Sequence, residues 1–234
     1  MTDAKSQLAN LKSQLKGGLI VSCQAPGGSP LAKPEIIRAF AETAEQNGAV
    51  GVRIDSPAHI SAVRQTVSIP IIGIYKIVRP ESEVYITPSY GSAVEVAEAG
   101  AHIIAVDATL RTRLNGEKLA DLCEKIKTIL HLPVMADIAT FEEGIYAAEE
   151  LGCDFIGTTL SGYTNETLYL ADKPDFNLIE KLAQRISAPI IAEGRISSPA
   201  DVKKALDCGA FAVVVGNAIT GIGNQIEKFA AACR

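Results

Sequence analysis

The sequence predicts an α/β protein of the (β/α)8 TIM-barrel class. Two kinds of apolar strand entry alternate strictly until eight are counted, and amphipathic helical stretches lie between them. The strand runs are apolar at both parities, as in parallel strands covered on both faces. At 234 residues the chain is close to the roughly 250 that one such barrel uses. A doubly wound open sheet is the rival, but it favours five or six strands, and GLIVSCQAPGGSP after the first strand carries no GxGxxG.

Taken in order, Leu8, Leu11 and Leu15 space a short N-terminal helix, expected to plug the domain. The first strand lies in GGLIVSCQA (17–25). PEIIRAFAETAEQNG (34–48) follows as a helix, with Pro34 in its first turn and Gly48 at its end. One strand type enters through small residues: NGAVGVRID (47–55), AGAHIIAVDA (99–108), LGCDFIGTTL (151–160) and CGAFAVVVGNA (208–218). The other enters through proline: SIPIIGIYK (68–76), HLPVMADIA (131–139) and SAPIIAEGR (187–195). Helical patterns at 116–131, 141–152, 176–187 and 198–209 each precede a strand, and an amphipathic segment at 223–233 closes the chain. The expected organisation is one barrel domain, residues 1–234, with a short N-terminal helix.

Composition removes several function classes. With 22 Lys and Arg against 27 Asp and Glu, the net charge of −5 gives no basic face for nucleic acid. The N-terminal stretch has no unbroken apolar run, so neither a signal peptide nor a membrane span is expected there. Cys23, Cys123, Cys153, Cys208 and Cys233 form no CxxC pair and fit a reducing cytosol, so the expected location is cytoplasmic.

Active sites of this architecture gather at the C-terminal ends of the strands. The polar residues there are Gln24, Arg53, Lys76, Asp107, Asp137, Thr159, Glu193 with Arg195, and Asn217. Lys76 shares parity with Ile72 and Ile74, which places its amine at the upper edge of the barrel interior. Partial burial would lower its pKa and make it an amine base or a Schiff-base nucleophile; an ion pair with Glu193 or Asp137 is the plainer alternative. Glu193 and Arg195 share a parity and are expected to reach the same space. A carboxylate there can move a proton. Barrels often hold phosphate with the loops after strands seven and eight, where Gly194 and Arg195, then Gly216 and Asn217, offer close backbone approach and a guanidinium.

Two βα connections are long, 78–91 and 162–175, and are expected to fold over a ligand. Arg111 and Arg113 are expected to be solvated surface arginines. His102 and His131 precede strands, away from the mouth, and with His59 they make no metal site; no flavin or nicotinamide motif is present. The expectation is therefore no metal and no cofactor.

GGLIVSCQ, the GVRI around Arg53, PIIGIYK, IIAVDAT, IGTTLSGYT, IAEGRI and VGNAIT, in that order, resemble the N-acetylmannosamine-6-phosphate 2-epimerase family over nearly the whole chain. The resemblance implies a barrel of the ribulose-phosphate-binding type. It implies an isomerase of sialic-acid and amino-sugar catabolism that converts N-acetylmannosamine 6-phosphate to N-acetylglucosamine 6-phosphate without a cofactor. It assigns Lys76 as acid/base at C2 and Glu193 as its partner. Gln24, Arg53 and Asp137 would hold the sugar, and Gly194, Arg195, Gly216 and Asn217 the phosphate. Family members often carry a basic residue after the AIT of strand eight, where this chain has Gly221 and Ile222, so backbone amides and Arg195 are expected to suffice. The chemistry expected is ring opening, C2 deprotonation to an enediolate and reprotonation. A Schiff-base sugar-phosphate lyase and a non-catalytic sugar-phosphate sensor are the alternatives. Ile226, Phe229 and Ala230 on one face of the last helix can pack on a partner subunit as easily as on the chain's own barrel, and a homodimer is the expectation.

Overall fold

A computed structural model describes residues 2–233. Eight parallel strands close into one barrel in chain order, β1-β2-β3-β4-β5-β6-β7-β8, with β8 returning to pair with β1. The strands are β1 (Leu19–Cys23), β2 (Gly51–Asp55), β3 (Ile71–Ile74), β4 (Ile103–Asp107), β5 (Val134–Asp137), β6 (Phe155–Gly157), β7 (Ile190–Ala192) and β8 (Ala212–Val215). Alternate residues of each strand separate into two apolar clusters. Val52, Ile54, Val106, Ala136 and Val213 face outward under the helices. Ile20, Ile72, Ile74, Ile103, Ala105, Met135, Phe155, Ile191 and Val214 fill the barrel.

The bottom of the barrel is closed by α1 (Thr2–Leu15), whose Leu11 and Leu15 are buried in the interior cluster. Gly51 makes room for it: a Cβ there would stand 2.8 Å from Leu15 Cδ2. The outer ring comprises α2 (Pro34–Gln46), α3 (Pro57–Arg64), α4 (Tyr90–Glu98), α5 (Leu119–Thr128), α6 (Phe141–Ile145), α7 (Phe176–Arg185) and α8 (Pro199–Asp207). Reciprocal side-chain caps start three of them: Ser89 with Ser92, Thr140 with Glu143, and Ser198 with Asp201. α3 and α4 lie outside the segments the sequence pattern marks as helical. The expected 141–152 helix is α6 continued by a wider π turn, Tyr146–Glu150.

The last helix, α9 (Ile222–Ala231), buries none of its residues. Ile226 is 61% exposed and Phe229 76%. Among the described residues no helix is long and apolar enough to cross a membrane.

Candidate active site

The strand parity that fills the barrel with aliphatic side chains carries charge in its upper layer. On β2 the interior positions are Gly51, Arg53 and Asp55; on β5 they are Met135 and Asp137. Arg53, 1% exposed, lies flat against Asp137, which is fully buried: Nη1 donates to Oδ1 at 3.1 Å and Nη2 to Oδ2 at 2.5 Å. Nη1 also lies 3.2 Å from Glu193 Oε2, joining the two carboxylates. Thr159 Oγ1 stands between the same acids, 2.6 Å from Asp137 Oδ1 and 3.2 Å from Glu193 Oε2. Gly157 permits this packing, because a Cβ there would fall 2.4 Å from Met135 Cε and 2.9 Å from Asp137 Oδ1. Thr158 pins the backbone of Glu193, donating to its carbonyl at 2.9 Å and accepting from its N–H at 3.1 Å.

Burial opposes the charge on Arg53, but Asp137 and Glu193 outweigh that penalty and its pKa is raised. Burial also raises the pKa of Glu193. Asp137 adds to the rise, while Arg53, Lys76 and Thr159 pull against it.

Lys76 lies two residues beyond β3, in a bridge with Ile86. Its ammonium donates to Gln24 Oε1 at 2.5 Å, and Gln24 Nε2 donates to Ser22 Oγ at 2.7 Å. The partner is thus an amide, and no ion pair ties Lys76 to Glu193 or Asp137 among the described residues. Desolvation lowers the Lys76 pKa and Arg53 adds to the effect, more than offsetting Asp55, Glu193 and Asp137. A lysine so placed holds more free amine near neutrality than an ordinary one.

These groups open on a cavity of about 250 Å³ at the barrel mouth. It is lined by Gln24, Arg53, Lys76, Glu193, Gly194, Arg195, Gly216 and Asn217, eight of the nine residues to which the resemblance gives a role, and by Thr159. Asp137 is the ninth. It lies beneath the floor and reaches the cavity through Arg53 and Thr159.

At one end Gly194 (φ +114°) and Arg195 (φ +57°) take left-handed backbone angles. Arg195 still lines the same cavity as Glu193, as its parity suggests, but its guanidinium is held by the 162–175 connection. Its Nε donates to Lys173 O at 3.1 Å, Nη2 to Ser161 O, and its plane covers the Tyr163 ring at 4.6 Å. Nη1 is buried and makes no hydrogen bond within the protein. Two fixed nitrogens and one free donor suit an anion. Gly221 belongs to this end as well: a Cβ there would be 2.6 Å from Asn217 O, so a larger residue at 221 would require the β8–α9 turn to shift.

The long connections fold inward. Residues 76–86 form a hairpin, with Lys76 opposite Ile86 and Arg79 opposite Ser82, that brings Tyr85 into the cavity. Burial, then Asp107 and Asp137, push the Tyr85 phenol up to about 12. The 162–175 connection brings in Tyr163, and its Asn165 donates to Glu83 Oε1 at 3.1 Å, linking the two loops. Ser22, Tyr85, Tyr163 and Thr220 also line the site, none of them singled out from sequence.

Arg111 and Arg113 differ from expectation. Neither is a solvated surface arginine: Arg111 Nη2 lies 2.8 Å from Asp107 Oδ2, and Arg113, 6% exposed, donates to Asp107 O and to Pro88 O. The Asp107 carboxylate and the Thr109 hydroxyl take up the Arg111 donors, and the Asp107 and Pro88 carbonyls take up those of Arg113. Among the described residues no group of His, Cys, Asp and Glu has the arrangement of a metal site.

A family model described as "Putative N-acetylmannosamine-6-phosphate epimerase" matches residues 37–234. The chain belongs to the N-acetylmannosamine-6-phosphate epimerase family. A relative so named from Thermosynechococcus vestitus is 52% identical over 225 residues, 96% of this chain and 97% of its own. Another from Synechococcus elongatus is 49% identical over 221 residues, 94% of each chain. Among solved structures, the N-acetylmannosamine-6-phosphate 2-epimerase from Clostridium perfringens superposes with a TM-score of 0.90 at 41% identity, covering 95% of this chain and 96% of that one. The protein is therefore a carbohydrate epimerase, an isomerase, on a (β/α)8 barrel.

Proposed function

We propose that the protein interconverts N-acetylmannosamine 6-phosphate and N-acetylglucosamine 6-phosphate by proton transfer at C2, serving sialic-acid and amino-sugar catabolism. The observation that carries this reading is one small cavity bounded by an amine, Lys76, a carboxylate, Glu193, and an anion-ready end at Gly194, Arg195, Gly216 and Asn217. The family membership supports the substrate pair.

The C2 proton becomes acidic only when C1 is an aldehyde, so the ring must open first. Glu193, whose pKa is raised by burial, moves a proton at the ring and C1 oxygens. Lys76, as free amine, takes the C2 proton and becomes ammonium. Because C2 bears nitrogen, the intermediate is an enolate whose charge sits on the C1 oxygen, a closer description than the enediolate expected from sequence. The Arg53 guanidinium, fixed by Asp137, stabilises that oxygen without having to reorganise. After rotation about a bond of the open chain, the Lys76 ammonium returns a proton to the opposite face of C2, which gives the epimer and restores the free amine. Gln24 holds the Lys76 amine and a sugar hydroxyl in turn, and Asp137 acts on the sugar through Arg53. Backbone amides beside Gly194 and Gly216, with Arg195 Nη1, take the 6-phosphate.

Proton NMR of the purified protein with N-acetylmannosamine 6-phosphate tests the proposal. The second epimer accumulates to an equilibrium mixture; a spectrum unchanged after prolonged incubation overturns it.

Two copies pair through α9. A ten-residue helix is marginal unless its apolar face is covered, and Ile222, Ile226 and Phe229 are 42%, 61% and 76% exposed. The apolar groove beside it, with Leu19, Pro199, Val202, Val215 and Ile219, offers matching surface on an identical copy.

A further inference from the structure

Asp55 has no part in the proton transfers described so far, yet the fold places it against the group that does the transfer. In the β2–β3 register Asp55 stands opposite Ile74, the last residue of β3. Beyond this pair the parallel ladder ends, because Ser56 turns the chain into α3 with φ +78° while its N–H still reaches Ile74 O at 2.9 Å. Past Ile74 the chain loses its ladder on the β2 side, and Tyr75 and Lys76 pair instead with Ile86 and Thr87 of the hairpin. On the β2 side the Asp55 carboxylate takes the place of the ladder: Oδ1 accepts the Lys76 backbone N–H at 2.9 Å. A carboxylate accepting a backbone N–H makes a stronger bond than the amide carbonyl it replaces.

We infer that Asp55 is the positioning residue of the catalytic amine, fixing where the Lys76 side chain leaves the backbone and placing a negative charge beside its ammonium. The inference rests on the epimerase reading of Lys76. Four charged groups act on that amine: Asp55 and Arg53 from β2, Asp137 from β5 and Glu193 from the end of β7; Gln24 on β1 is its neutral hydrogen-bond partner. Among the three acids, Asp137 and Glu193 already share the Arg53 guanidinium. Asp55 does not, and it is the strongest of the charges that keep the amine protonated. Asp55 itself faces Lys76, His59 and Arg53. His59 Nδ1 lies 2.8 Å from the Asp55 carbonyl and Nε2 3.3 Å from Ala32 O, which ties this strand end to the first loop. Lys76 borders both the active cavity and a second cleft of about 720 Å³, and Asp55 lines the second one.

The arrangement sets two opposed demands on one lysine. Burial and Arg53 drive the amine toward its free form, which removes a proton; Asp55 holds back that drift, so that the ammonium formed in the first step remains long enough to return its proton.

The test separates charge from shape. Asp55→Asn keeps an oxygen to accept the Lys76 N–H and removes the charge; Asp55→Ala removes both. Lys76 is titrated by the pH dependence of its acetylation by acetic anhydride, read by mass spectrometry, in the wild type and both variants. C2 deuterium exchange in N-acetylmannosamine 6-phosphate is followed over the same pH range. Asp55→Asn is expected to shift the Lys76 midpoint and the acidic limb of exchange to lower pH, with the rate at its own optimum within about tenfold of wild type. Asp55→Ala shows the same shift and a further drop of about tenfold in rate at its optimum. Coincident labelling midpoints for wild type and Asp55→Asn would overturn the inference. A wild type that exchanges no C2 proton would sink the epimerase reading, and the labelling titration would still decide for or against Asp55.

Discussion

Asp137→Asn tests the buried floor of the cavity most sharply. Arg53 and Asp137 are 1% and 0% exposed and share two hydrogen bonds, at 3.1 and 2.5 Å, with Thr159 adding a third to the same carboxylate. Removing one partner of such a buried pair costs about 3–5 kcal/mol, because the other charge is left without compensation. Glu193 remains 3.2 Å from Nη1, which places the expected loss at the lower end, about 3 kcal/mol. For a domain of this size each kcal/mol lowers the melting temperature by roughly 2–4 °C, so the fall is about 6–12 °C. Scanning calorimetry at pH 7 measures it, and a loss below about 1 kcal/mol would refute the claim that Asp137 compensates Arg53. The combination Arg53→Met with Asp137→Leu is expected to regain most of that stability, since apolar replacements of buried pairs are often neutral or better. It is also expected to lose turnover. An active double variant would remove Arg53 from the stabilisation of the C1 oxygen.

Glu193→Gln should abolish epimerisation yet leave the anion-binding end intact, so the substrate still protects the protein, by about 2.7 kcal/mol at a hundredfold excess over its dissociation constant; an absence of protection would place Glu193 in binding. Arg195→Ala should raise KM about 10- to 100-fold with little change in kcat, the loss of a charged donor to phosphate. An unchanged KM would take the phosphate away from Arg195. Borohydride added with substrate should leave Lys76 unmodified, and a reduced adduct on it would favour the lyase chemistry of an imine. Phe229→Asp should convert a dimer to a monomer in light scattering; a wild type already monomeric would dismiss the α9 pairing.

The barrel was legible because its signal repeats. Each strand entry is a proline or small-residue step into a run apolar at both parities, and eight of these leave little choice of architecture. α3 and α4 were not legible: PAHISAVR is only eight residues long, and α4 begins after the hairpin, behind a Ser89 cap rather than a run of apolar spacing. Lys76 and Glu193 were visible as long charged side chains ending buried runs. The fate of Asp137 was not, since its strand-end position is the same whether it faces a ligand or an arginine, and only closure of the barrel, with β2 reaching across to β5 and β6 paired beside it, puts Arg53 and Thr159 against it. Tyr85 and Tyr163 reach the cavity through loops whose folding has no period to read. A pattern that could have found Asp55 was present: in GVRID it shares parity with Arg53, one step further toward the mouth.

Lys76 as the base at C2 is the centre of the account, and isotope exchange addresses it directly. In deuterium oxide the wild type should wash the C2 proton out of N-acetylmannosamine 6-phosphate as the second epimer appears, whereas Lys76→Ala, folded and still protected by the sugar phosphate, should retain that signal. Exchange by Lys76→Ala at the native rate would contradict it.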